Sequence, residues 1–269
     1  LEVNGRRFVH PISEGDYVQS LDKGLAVISA FSGERRSMTL SQVAAVTGLS
    51  KPSARRCLLT LHALGYLVSE GTSFRLGPKV LDLAQAYLSS VELPAIVEPF
   101  LNELNADLQE ACSVGVLDGD SVVYVARAQA KRVMTIAVRV GTRIDPFVTA
   151  LGRVLLAYES EERIEKLWNA RTDAQSTVGL DLPGFLTMLR EVRQQSWCLV
   201  DQEVEVGVRT IAVPIRDGRG KVIAGMNVAV HTARVSIEQL ESEFLQRLQR
   251  AREDVETCLR EYGPEMTFY

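Results

Sequence analysis

Cysteine is scarce and scattered: Cys57, Cys112, Cys198 and Cys258 show none of the close pairing that zinc or iron–sulfur groups require. They read as buried reduced thiols, not as a disulfide framework. The histidines, His10, His62 and His231, lie equally far apart, so no metal site is expected. No apolar run reaches about 18 residues, which argues against a membrane-spanning helix. The first twenty residues mix charge and apolarity too freely for a signal peptide, so a cytoplasmic protein is expected. Leu1 stands where Met would open a natural chain, and the natural start is expected to differ. Catalytic constellations are missing too: there is no phosphate loop, no nucleophile elbow and no histidine near a candidate nucleophile. Neither an enzyme nor a bound cofactor is expected.

What is present is an uneven distribution of charge. The 269-residue chain carries 30 Lys and Arg against 34 Asp and Glu. Residues 1–78 nevertheless hold nine basic and six acidic side chains, whereas residues 79–269 hold 21 and 28. From Arg35 to Ser69 there are five positive charges, Arg35, Arg36, Lys51, Arg55 and Arg56, and no Asp or Glu. A basic head on an acidic body predicts that only the head meets nucleic acid.

The head spells a winged helix–turn–helix. Leu21, Leu25, Ile28 and Phe31 recur at helical spacing over about residues 20–32, and Gly33 ends that helix. Thr39 followed by Gln42 has the pattern of a capping box. Gly48 supplies a turn, and Ser50 can cap a helix running to about Leu64. On that helix Ala54, Leu58 and Leu61 share one face. Arg55, Arg56 and Leu59 point the other way, flanked by Ser53 and Thr60, and suit a DNA major groove. Two alternating runs about Gly71 form the wing, where Arg75 can reach a phosphate. The DNA-facing set is therefore Arg35, Arg36, Thr39, Ser50, Lys51, Ser53, Arg55, Arg56, Leu59, Thr60 and Arg75. The expected division is a DNA-binding domain over 1–78, a linker helix over 79–93, and a body over 94–269.

The body reads as α+β, an antiparallel sheet covered by helices. A helix is predicted over about 95–110, followed by strands Ser113–Leu117 and Val122–Ala126 around Asp118-Gly119-Asp120. Val133–Val140 is a third strand candidate, and Arg139–Val148 a loop long enough to cover a small-molecule cavity. Helices follow over Thr149–Tyr158, 160–169 and 184–195. Strands Cys198–Val200, Arg209–Ile215 and Val222–Val230 come next, then a last helix over 236–261. Asp201, Glu203 and Glu205 alternate and read as solvated charges on one strand face. Arg209, Thr210 and Asn227 are polar residues inside apolar strands. Each needs a partner, either internal or a polar ligand.

Four stretches together resemble one family. They are Ser20-Leu21-Asp22-Lys23-Gly24-Leu25, the helix–turn–helix, Ala150-Leu151-Gly152-Arg153-Val154-Leu155-Leu156-Ala157, and Glu205-Val206-Gly207-Val208-Arg209-Thr210-Ile211-Ala212-Val213-Pro214. Over about residues 17–262 the chain resembles the isocitrate lyase regulator (IclR) family of bacterial transcription factors. The resemblance implies a winged-helix head, a helical linker and a GAF-like body that senses a small molecule. It also implies homodimers pairing through their heads and homotetramers built through their bodies. Carried over by position, the implied effector contacts are Val133, Ile136, Ala150, Leu151, Gly152, Asp201, Val208, Thr210, Asn227 and Ala229. Thr149 adds a hydroxyl beside the helix start. The run Gln195-Ser196-Trp197-Cys198-Leu199-Val200-Asp201-Gln202-Glu203 is similar to regulators of protocatechuate, 4-hydroxybenzoate and β-ketoadipate breakdown. The implied function is transcription regulation on a double-stranded DNA operator, controlled by a small organic acid such as an aromatic carboxylate. Another small carboxylic acid, or a DNA-binding scaffold that senses nothing, are the alternatives.

Overall fold

The computed structural model describes residues 2–3, 6–7, 13, 15–33, 35–83, 92–129, 138–171 and 179–262. The chain divides into two compact units, Leu1–Ser90 and Val91–Tyr269.

In the first unit, β1 (Glu2–Val3) pairs antiparallel with β2 (Arg6–Arg7). Helices α1 (Gln19–Ser29), α2 (Leu40–Thr47) and α3 (Lys51–Ala63) pack around Val27, Phe31, Val43, Ala54, Leu58 and Leu61. Thr39 closes the two-residue strand β3 (Met38–Thr39) and also caps α2. Its hydroxyl accepts from the Gln42 amide at 3.4 Å, while the Gln42 Oε1 accepts from the Thr39 amide at 2.8 Å, which completes the capping box. Gly48 takes φ 68°, a left-handed turn that a side chain resists. Ser50 then caps α3 by accepting from the Ser53 amide. The wing is β4 (Leu67–Glu70) with β5 (Ser73–Leu76). β3 adds a third strand that the sequence reading omits, giving the order β3-β5-β4. Residues 80–83 are helical (α4).

The second unit is a three-layer sandwich. Its antiparallel sheet has the order β8-β7-β6-β11-β10-β9. The strands are β6 (Ala111–Asp118), β7 (Ser121–Ala128), β8 (Arg143–Ile144), β9 (Cys198–Asp201), β10 (Val208–Arg216) and β11 (Val222–His231). One face is covered by α5 (Glu92–Leu108) and α10 (Leu245–Tyr262), which bury Leu101, Val114, Ile211, Val213, Met226, Val228 and Leu248. The other carries α6 (Ala150–Leu156), α7 (Glu161–Asn169) and α8 (Leu182–Gln195) over Leu151, Phe185, Leu189, Val200 and Ala212. The continuous burial of residues 211–215 on β10 and 223–228 on β11 follows from each strand feeding two cores at once, its side chains alternating between them.

Two expectations change, and one falls outside the described residues. The strand predicted over Val133–Val140 falls largely on residues 130–137, outside the described residues, and among the described residues the strand at that edge is Arg143–Ile144. The last helix is not one uniform run: α9 (Ile237–Gln239) passes through a π-helical turn, Leu240–Phe244, into α10. The alternating acids do not form a solvated strand face, because β9 ends at Asp201. Asp201 takes the Arg209 Nε at 2.6 Å, and Glu203 takes both terminal nitrogens of Arg153.

Candidate functional site

On α3, Lys51, Arg55, Arg56, Leu59 and Thr60 are exposed and Ser53 is half-buried. No carboxylate among the described residues pairs with Arg35, Arg36, Lys51, Arg55 or Arg56, so this surface keeps its positive charge. The helix nevertheless has two polar sides. Ser53, Arg56 and Thr60 line a cleft of about 740 Å³ against α1, together with Leu21, Leu25, Ile28, Leu64 and Tyr66. Arg55 and Leu59 project from the side away from that cleft. The α1 stripe read as core is thus divided. Val27 and Phe31 are buried, whereas Leu21 and Leu25 remain 61% and 51% exposed. The hydroxyls of Thr39 and Ser50 serve as caps, and Arg75 pairs with Glu70 across the wing.

In the body, residues of the α6-facing side of the sheet line up in rows across the strands. In the first row Gly225 lies opposite Gly115, and Leu151 of α6 rests on both. A Cβ at Gly225 would stand 2.9 Å from one Leu151 methyl, and one at Gly115 would stand 3.3 Å from the other. Gly152 is equally constrained, since its Cβ would fall 2.0 Å from the Pro146 carbonyl oxygen. Leu151 and Gly152 are therefore occupied in seating the helix. Thr149, 5% exposed, caps it by accepting from the Gly152 amide at 2.9 Å. Ala150 is fully buried in the same turn.

The next row is polar. Ala212, Asn227, Ser113 and Arg127 lie directly opposite one another on β10, β11, β6 and β7. One step further along the strands come Thr210, Ala229 and Ala111. Most of these residues are small, so the floor is shallow. The Asn227 Oδ1 and the Thr210 Oγ1 are both buried and have no hydrogen-bond partner among the described residues. Buried polar atoms in folded proteins nearly always find partners, so two orphans side by side on one face make this row a candidate ligand site.

Arg127 is absent from the sequence-predicted set. It is half-buried, and its Nη1 donates to the Ser113 Oγ at 3.2 Å. Its Nε is buried without a partner, and no described carboxylate forms an ion pair with it. Burial pushes the guanidinium below its ordinary pKa, while nearby Tyr124 and Cys112 act in the opposite sense. Burial also raises Tyr124 to about 12, so the phenol stays protonated. Simple alternation would put residues 124 and 127 on opposite faces. The register shifts between Val114 and Gly115, pairing Val114 with Ala126 and Gly115 with Tyr124. Val125 is thereby an extra residue, a β-bulge, and Tyr124 and Arg127 both face α6.

Among the other predicted contacts, Val208 shares the face of Thr210 and is half-buried, and Ala229 lies opposite Thr210. Asp201 is held by Arg209. Val133 and Ile136 lie outside the described residues. No group of His, Cys, Asp and Glu capable of holding a metal ion occurs among the described residues. No helix there is long and apolar enough to cross a membrane.

A winged helix–turn–helix with an exposed basic helix, on the same chain as an α/β/α unit with a buried polar row, defines a transcription regulator. The chain belongs to the IclR family: residues 20–71 match the IclR helix-turn-helix domain, and residues 85–257 match the bacterial transcriptional regulator IclR C-terminal domain. It is a DNA-binding regulator and not an enzyme. The Pca regulon regulatory protein of Pseudomonas putida is 41% identical over 251 residues, spanning 92% of this chain and 86% of that protein. A solved transcriptional regulator from Rhodococcus sp. RHA1 is 38% identical, with a TM-score of 0.81 over 92% of this chain and 100% of that one. The inducer binding domain of PobR from Acinetobacter was solved as a double mutant in complex with 3-hydroxybenzoic acid. It is 32% identical, with a TM-score of 0.55 over 61% of this chain and 97% of that domain.

Proposed function

We propose that the protein is a cytoplasmic regulator of an aromatic-acid or β-ketoadipate catabolic operon, responding to a small organic acid bound on the α6 face of its body sheet. The pair of buried orphans, Thr210 Oγ1 and Asn227 Oδ1, is the observation that carries the sensing role. The relatives named for Pca regulation and for a hydroxybenzoate-bound inducer domain support the chemical class. Residues 1–78 read DNA, 79–93 connect, and 94–269 sense the effector and assemble subunits. The half-exposed leucines of the α1–α3 cleft suit pairing of two heads, as a homodimer or within a homotetramer. Such a pair presents two α3 helices to a near-palindromic operator. The effector acts only through its different affinity for the DNA-competent and DNA-incompetent states.

The test is an operator titration, with DNA from upstream of the protein's own gene. Protocatechuate, 4-hydroxybenzoate, catechol, cis,cis-muconate and β-ketoadipate are each added in turn. At least one is expected to change operator affinity several-fold. If all five leave it unchanged, the sensing role falls and a DNA-binding scaffold remains.

A further inference from the structure

We propose that Arg127 is the carboxylate anchor of the effector site, fixing the ligand with its acid group toward β7 and its other end toward Asn227 and Thr210. This rests on the reading of the α6 face as the effector site and adds to it an orientation and an anchoring residue.

The first argument is charge. Arg153 and Arg209 each meet a carboxylate through two nitrogens, Glu203 and Asp201 respectively, and Arg234 does the same with Glu110. Among the described residues Arg127 has only a neutral hydroxyl, that of Ser113, and an unpartnered Nε. A guanidinium that has given up part of its hydration without gaining a counter-charge is poised for an anion. Its planar fork fits a carboxylate through two parallel hydrogen bonds.

The second argument is placement. Ser113 draws the guanidinium along the row toward β6, one strand from Asn227 on β11. Neighbouring strands stand about 4.8 Å apart, so a single ring or a short chain spans from the guanidinium to the Asn227 amide. The floor beneath is Ser113 with Ala111, Ala212 and Ala229, all small side chains. The two buried orphans wait at the far end. The ligand class is therefore a monomeric acid about one ring long that bears a second polar group opposite its carboxylate.

The third argument is the bulge at Val125. It brings Arg127 to this face at the cost of regular pairing, and bulges of this kind re-aim side chains beside functional sites.

Isothermal titration of the full-length protein tests this with 4-hydroxybenzoate, protocatechuate and β-ketoadipate against wild type, Arg127→Gln and Arg127→Lys. The acid that binds wild type is expected to bind Arg127→Gln at least tenfold more weakly and to recover much of its affinity in Arg127→Lys. Should Arg127→Gln fail to fold, Ser113→Ala, which frees the guanidinium from its aim, must weaken binding at least threefold. Undiminished acid affinity in Arg127→Gln, or in Ser113→Ala where that variant stands in, overturns the anchor while leaving the effector site intact. A wild type that binds none of the three acids overturns the anchor as drawn, and the effector site falls with it only if catechol and cis,cis-muconate also fail to change operator affinity.

Discussion

Asn227 is 4% exposed, and its buried amide oxygen accepts nothing among the described residues. A stranded acceptor of this kind costs about 1–3 kcal/mol, which an apolar residue of similar shape avoids. Asn227→Leu is therefore expected to hold or raise the ligand-free melting midpoint while weakening effector binding. A midpoint well below wild type in differential scanning calorimetry would count against the orphan. The thiols give a second expectation at this scale. Burial pushes Cys112 and Cys198 up to about 12, so neither is ionised near neutral pH, whereas Cys57 and Cys258 are half-buried. Ellman titration of the native protein at pH 8 should find at most two reactive thiols, Cys57 and Cys258, and all four after denaturation. Thr210 and Asn227 were legible in the sequence as polar residues interrupting apolar strands. Arg127 was not, because alternation counted through Val125 assigns it to the wrong face.

At the scale of elements, capping chemistry was the most readable signal. Thr39 with Gln42, Gly48 and Ser50 placed the ends of α2 and α3 because each satisfies a local geometric need. β3 escaped notice because two residues carry no period, and its pairing with β5 is long-range. The acids at and after the end of β9 misled for a related reason. Their spacing describes one strand, but their partners, Arg153 and Arg209, come from α6 and β10. Breaking a buried pair from one side leaves a desolvated charge and costs up to about 3–5 kcal/mol, against 0–1 for an exposed pair. Glu203→Ala, which strands the 7% exposed Arg153 side chain, should lower the melting midpoint well below Glu161→Ala, whose partner Arg190 is 62% exposed. Equal midpoints would mean that Arg153 finds water or another acceptor. On α3, Arg55→Ala is expected to weaken operator binding about tenfold by fluorescence anisotropy, corresponding to about 1–3 kcal/mol. Arg56→Ala, at the edge of the α1 cleft, should weaken it less. The reverse order would place the α1 side of the helix against DNA.

For the molecule as a whole, the uneven charge told more than any motif. A net charge of −4 would repel DNA if spread evenly, yet the acid-free surface from Arg35 to Ser69 is confined to one unit. Operator affinity should therefore fall steeply as salt rises, since phosphate contacts release counterions. Effector affinity at the half-buried Arg127 should fall much less between about 50 and 200 mM salt. Parallel salt slopes for the two ligands would show that the effector sits at the surface. The division into a head and a body was readable because composition changes with it. The layering of the body was not, since which helix covers which face depends on contacts far apart in sequence.

The bulge at Val125 makes sidedness a matter of counting. Deleting Val125 would leave Arg127 opposite Ser113. A one-residue slip that drew Val125 into regular pairing would change no chemistry in the strand, yet it would turn Arg127 from α6 toward the hydrocarbon layer under α5 and α10. A cation there meets Val114 and Val228 in place of Ser113 and Asn227. The bulge therefore pins the register of the strand as well as the aim of one side chain, since any slip that absorbs it would bury a charge in the core.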